Sequence, residues 1–193
     1  MKLYKLTKQD GTTHNKYEYG IVGKTHKKEE KCDPQLYSSD VFHAYKNINL
    51  AFLLNPIYAN IKNPILWEIE GDICCEDFGE VGSFQQEVIG KINYPEWVNS
   101  DRDGKVRILF AILCAESVYH LWERYNGKDS RVLNAILATR EYLKNPNYVN
   151  YVNAANAVNA ANAAAVAAAY ADAADGINFC ELADKAVRIV LSC

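Results

Sequence analysis

The first 99 residues carry short runs in which apolar and polar positions alternate. Leu3-Tyr4-Lys5-Leu6-Thr7 alternates and then meets Gln9-Asp10-Gly11, a turn signal, so it reads as a strand. Ile65 to Glu70 sets Ile65, Trp67 and Ile69 on one face and Glu68 and Glu70 on the other. This second strand is fenced by Asn63-Pro64 and Gly71-Asp72. Glu87 to Ile92 reads as a third. Between the first two, a short helix is expected from Ala44 to Leu54, stopped by Asn55-Pro56.

From Ser100 onward the period becomes helical. Ser100-Asp101-Arg102-Asp103 reads as a helix start, a hydroxyl acceptor followed three residues later by a carboxylate. Val106, Leu109, Phe110, Leu113, Cys114, Val118, Leu121, Trp122 and Tyr125 then form one stripe, and Asn126-Gly127 supplies the stop. Ser130 opens a second helix to Lys144, and Asn145-Pro146 fits the cap and first position of a third. Asn178-Phe179-Cys180-Glu181 is a capping box for the last helix, whose apolar face holds Phe179, Leu182, Ala186, Ile189, Val190 and Cys193. The expected architecture is α+β: a small mixed sheet domain over residues 1–99, then a helical half over 100–193.

Within that half, residues 146–175 are expected to be helical and are unusual. Asn recurs at every third position from 147 to 162, and 14 of the 22 residues from 154 to 175 are alanine, the best helix former. A period of three against 3.6 residues per turn displaces each Asn by roughly 60° from the last. The row winds round the helix and presents no flat ladder, so a solvated low-complexity helix is the reading preferred over a gripping surface. Ala-rich faces allow close helix approach, which admits self-association.

Composition narrows the function classes. Twenty-one Lys and Arg against 24 Asp and Glu give a formal charge of −3, which argues against a general nucleic-acid binder. No charged start followed by an apolar run suggests a secretory signal, and no apolar stretch suits a bilayer, so a cytoplasmic protein without membrane contact is expected. The six cysteines show no disulfide or zinc spacing, so reduced thiols and no metal are expected.

No nucleotide-binding or hydrolase motif occurs. Among the four histidines, His14 and His26 fall in Lys-rich loops, with His26 read as part of a solvated charge run, and His120 borders the helical stripe. His43 stands in Leu36-Tyr37-Ser38-Ser39-Asp40-Val41-Phe42-His43-Ala44-Tyr45, just ahead of the expected helix. Tyr37, Ser38, His43, Asn55 and Asn63 are the candidate ligand-binding residues. His43, Tyr45, Glu68 and Glu70 form the alternative, catalytic set: a His, a Tyr and a strand carboxylate can clamp and polarise a small molecule. Set against both is the plainer reading, that His43 and Tyr45 are partly buried and satisfied by backbone groups.

The segments around His43-Ala44-Tyr45, Asn55-Pro56-Ile57 and Trp67-Glu68-Ile69-Glu70-Gly71 resemble an uncharacterised domain family of phages and prophages, many of whose members end in an Ala-rich tail. The resemblance continues through Phe110 to Ala115 and Gly127 to Ser130, and implies a setting in the bacterial host cytoplasm with no assigned reaction. Tyr37 stands where relatives often have Cys, which speaks against a shared catalytic thiol. A second, looser resemblance is to ADP-ribosyltransferase-like folds, through Tyr37-Ser38-Ser39 and Trp67-Glu68-Ile69-Glu70. No Arg precedes position 102 to complete the Arg-Ser-Glu pattern of one version of that fold.

Two functions are therefore expected in competition. The first is a non-enzymatic, anti-CRISPR-like accessory protein that binds and inhibits a host defence protein or complex, with no cofactor. The second is a domain that binds or transfers a nucleotide moiety, with NAD or another nucleotide as ligand.

Overall fold

The structure is a computed structural model that describes residues 1–77, 79–101, 103–126, 130–147, 150, 152 and 177–192. Contacts divide the chain into two compact units, Met1–Ser100 and Asp101–Cys193. The fold class is α+β, with a seven-stranded sheet in the first unit and helices in the second.

The strands are β1 (Lys2–Thr7), β2 (Thr25–Lys27), β3 (Phe42–Tyr45), β4 (Ile65–Gly71), β5 (Cys75–Asp77), β6 (Glu80–Ser83) and β7 (Gln85–Lys91). Their spatial order is β2-β7-β4-β1-β3-β6-β5, and every pairing is antiparallel. The long pair β1–β4 runs in register from Lys2 opposite Glu70 to Thr7 opposite Ile65. That register places the inward residues of the alternating pattern together. Leu3, Ile65, Trp67 and Ile69 join Tyr19, Phe42, Ala44, Val81 and Val88 in one buried cluster. The Trp67 indole N–H donates to Thr7 Oγ1 at 2.8 Å, and Gly20 passes so close that a Cβ there would lie 2.6 Å from the indole ring.

Between β3 and β4 lies helix α1 (Ile48–Leu54), shorter than the expected span from Ala44. Residues 42–45 are strand because Phe42 and Ala44 alternate into the core, and the helix starts only where Asn47 caps it. Its Oδ1 accepts from Asn49 N at 2.8 Å and Leu50 N at 3.0 Å. Helix α2 (Glu96–Ser100) closes the unit by burying Trp97, whose Nε1–H donates to Asn49 Oδ1 at 2.6 Å.

His26 departs from the solvated charge run expected around it. It is not solvated: it sits in β2, is only 2% exposed and stacks on Tyr19 with ring centroids 4.4 Å apart. Its Nε2 lies 2.9 Å from the Tyr19 carbonyl, so Nε2–H donates there, leaving Nδ1 to accept from the Tyr17 hydroxyl at 3.1 Å. Burial holds its pKa below the ordinary histidine value and keeps the ring neutral.

The second unit contains α3 (Lys105–Asn126), α4 (Arg131–Lys144) and α5 (Phe179–Leu191), with α3 packed on both others. Ile112, Ala115, Val132 and Ile136 form the α3–α4 seam, and Arg140 grips Glu116 with two hydrogen bonds of 2.6 and 2.7 Å. Phe110 meets Phe179 on the α3–α5 side at 6.2 Å. Ser100 ends α2, and it is Asp101 that caps α3, through Val106 N at 3.1 Å. Asn145 closes α4, while Asn147 takes the Asn150 N–H at 2.9 Å. Asn178 caps α5 through Glu181 N, as the capping box implies. On α5 the buried residues are Ala183 and Ala186, whereas Ile189 is 41% exposed. The side chains of Val118, Leu121, Trp122 and Tyr125, most of the Asn/Ala tract and Cys193 lie outside the described residues. Among the described residues no helix is long and apolar enough to cross a membrane.

Candidate functional site

One antiparallel bridge, Tyr4 opposite Tyr45, joins β1 to β3. Beyond it the strands part, and a cleft of about 570 Å³ opens between them. Lys5 and Leu6 of β1 line one side, and Phe42, His43 and Tyr45 of β3, with Val41 just before it, line the other. The turn after α1 contributes Tyr58 and Ile61, the segment before β3 contributes Tyr37, and the hairpin after β1 contributes Thr13 and Tyr17. A sheet that splits in this way leaves polar side chains to fill what a ladder would otherwise occupy. The Lys5 ammonium does so, donating to the His43 carbonyl.

Tyr37, Ser38, His43, Tyr45 and Asn55 all line the cleft. Their polar atoms differ in what they have left to offer. The Asn55 amide is spent on Ile61, accepting from its N–H at 3.0 Å and donating to its carbonyl at 2.9 Å, so it shapes the Tyr58 turn. Ser38 Oγ donates to the Gln35 carbonyl at 2.8 Å and accepts from Asp40 N at 3.0 Å, a local turn device. His43 donates from Nε2 to the Leu36 carbonyl, and burial lowers its pKa, so the ring is a neutral wall. Tyr37 is the open one: its ring is 60% exposed while its hydroxyl sits 2.9 Å from both oxygens of Asp77. It stacks at 6.4 Å on His43 and at 6.2 Å on Tyr58.

Asn63, Glu68 and Glu70 do not line the cleft. Sheet order explains the carboxylates, because β1 stands between β3 and β4. Glu68 pairs instead with Lys2 at 2.7 Å, Glu70 is exposed, and Asn63 adopts a positive φ of 47° in the turn before β4.

The carboxylate that reaches the cleft is Glu80, opposite Tyr45 in the β3–β6 register and opposite Asp77 in the β5–β6 register. It is 6% exposed. Burial raises its pKa, hydrogen bonds from Tyr45 and Tyr37 pull it partly back, and neighbouring Asp77 pushes it up again. Burial likewise raises Asp77, against the Tyr37 hydrogen bond, and drives the Tyr37 and Tyr45 hydroxyls well above the phenol range. On the opposite wall, burial pushes Lys5 down to about 7, with Lys28 adding repulsion and Glu80 opposing it. Lys28 is also lowered by burial; its ammonium donates to the Ser39 carbonyl and lies 4.7 Å from the Phe42 ring centre.

Lys5, Lys28 and Glu80 were not among the residues singled out from the sequence. Only Lys5 leaves a trace there: in Leu3-Lys5-Thr7 it occupies the inward phase of an otherwise core-directed strand. Compared with known protein families, curated proteins and solved structures, the chain matches none of them.

Proposed function

We propose that the N-terminal unit binds a nucleotide in the cleft between β1 and β3. The observation that carries this is the pairing of exposed aromatic rings with a lysine, Lys28, that has no ion pair among the described residues. Tyr37 and Tyr58 are 60% and 52% exposed in the cleft that Lys28 also lines. A base stacked on such a ring gains about 1–3 kcal/mol, and an ammonium is a good point charge for a phosphate. Glu80, in the same lining, can accept from ribose hydroxyls or donate when protonated.

The resemblance to phage and prophage domains supplies a setting in which holding a nucleotide signal counters a host defence. Thermal shift against AMP, NAD and cyclic nucleotides tests the reading. A ligand at 100 times its dissociation constant raises stability by about 2.7 kcal/mol, and Tyr37→Ala or Lys28→Ala diminishes that gain. No shift with any nucleotide contradicts it.

A second reading, direct blockade of a host defence protein, is favoured by α4. Leu133 and Leu137, one turn apart, are 37% and 54% exposed. If it holds, Leu133→Glu with Leu137→Glu abolishes inhibition while cleft variants leave it intact.

A further inference from the structure

We infer that Lys5 captures the aldehyde of a phosphorylated aldose as an imine, with Lys28 seating the phosphate and Glu80 carrying the protons. The inference rests on the cleft being a ligand site, as proposed above, and adds a covalent step to it.

Three features of the cleft favour that chemistry over simple charge pairing. Lys5 is anchored by one hydrogen bond, to the His43 carbonyl, and by the face of Tyr19, whose ring centre lies 4.6 Å from Nζ. Neither partner is an anion that would lock the nitrogen as an ammonium, and no ion pair to Lys5 occurs among the described residues. Burial and the positive neighbour Lys28 then leave a large share of the amine neutral near pH 7, which is the form that attacks carbonyl carbon. Glu80 lines the same cleft as a buried carboxyl with a raised pKa, backed by the Tyr45 hydroxyl, so it can both give and take a proton.

The step balances without a further reactant. The Nζ lone pair bonds to the aldehyde carbon of the open-chain sugar as the C=O π bond moves to oxygen, giving a carbinolamine once a proton passes from nitrogen to oxygen. Glu80 protonates the carbinolamine hydroxyl, which leaves as water while the nitrogen lone pair forms C=N. Loss of the remaining N–H proton to the Glu80 carboxylate completes the neutral imine. The phosphate distinguishes the substrate class from uncharged aldoses, because Lys28 stands at the same cleft with its charge uncompensated by an ion pair among the described residues.

The full chain is incubated at neutral pH with ribose 5-phosphate and cyanoborohydride, which reduces an imine to a stable secondary amine. The adduct is then located by fragment-ion mass spectrometry. The expected result is labelling of Lys5 exceeding that of any other lysine by more than about tenfold, since each unit of depressed pKa raises the neutral fraction tenfold. Labelling of Lys5 levels off above its pKa of about 7, while exposed lysines continue to gain with rising pH. Lys5→Arg has no free amine to attack the aldehyde and loses the adduct. Should that variant fail to fold, Glu80→Gln provides the second arm, slowing labelling at Lys5 and leaving surface lysines unchanged. Labelling spread evenly over the surface, or an unlabelled Lys5, overturns the inference. Calorimetry with AMP, which has no aldehyde, separates the two proposals. AMP bound with Lys5 unlabelled sinks the imine alone; Lys5 labelled with AMP neither bound nor protective sinks the nucleotide reading alone.

Discussion

The two units of the chain treat polar side chains in opposite ways. In the sheet unit Thr7, His26, Asn55, Glu80, Ser83 and Gln86 are all buried, whereas Thr139 is the one buried polar residue described in the helical unit. Thr139 returns its hydroxyl to the Ala135 carbonyl of its own helix at 2.8 Å and so asks nothing of its surroundings. Two of the buried polar groups of the sheet unit, Thr7 and Gln86, reach across long separations. Gln86 accepts from the Tyr19 hydroxyl at 2.6 Å and donates to the Phe42 carbonyl at 3.0 Å, tying three parts of the chain together. Helices satisfy their backbone internally and can be buried through apolar side chains alone. A sheet that parts beyond the single β1–β3 bridge is completed by side chains, and Lys5, His43, Tyr45 and Glu80 line the cleft there.

The largest effect on this contrast comes from the sheet unit's main anchor. Trp97→Ala, at a residue only 1% exposed, costs about 3–5 kcal/mol in denaturant unfolding. Gln86→Leu comes next, at about 1–3 kcal/mol, because it takes the acceptor from the buried Tyr19 hydroxyl and removes the side-chain bond to the Phe42 carbonyl. Its helical counterpart, Thr139→Val, changes stability by less than about 1 kcal/mol, since the Ala135 carbonyl keeps its backbone bond. An equal loss at the two positions breaks the comparison.

Lys5 gives a smaller, pH-dependent signature. Its folded pKa of about 7 lies below its unfolded value of 10.5, so the unfolded chain binds more protons between them and stability gained through Lys5 grows as pH rises across that window. Between pH 6 and 8 the wild type gains about 1.4 kcal/mol relative to Lys5→Met, measured by urea unfolding at each pH. A gap that is constant over this range removes the depressed lysine from the account. Smallest of all is Leu137→Gln on the exposed side of α4, which stays within about 0.5 kcal/mol of wild type.

How much of this was legible depends on how locally each feature is determined. β1 and β4 are visible because alternation is local, and α4 and α5 because Ser130, Asn145 and Asn178 punctuate them within one turn. The short strands are not. In Thr25-His26-Lys27 only the middle residue points inward, so a single buried imidazole is masked by the lysines around it. Phe42 to Tyr45 is almost as short, and its last two residues fall inside the span from Ala44 expected to be helical. The cleft was half legible: polar density marks Tyr37, Ser38, His43 and Tyr45, all close in sequence. Glu80 arrives through its pairing with Tyr45 and Lys5 through the single bridge at Tyr4, and long-range register is absent from any local pattern. Glu68 and Glu70 are the strand carboxylates nearest to His43 in sequence, but β1 separates their strand from β3.

Hydrogen–deuterium exchange of the full chain with and without saturating AMP tests the central claim most directly, because it reads both units at once. Binding at the split predicts slowed exchange in β1, in residues 37–45 and around Tyr58, with α3 and α4 unchanged. Protection confined to α3 and α4, or no protection anywhere with any nucleotide, contradicts it.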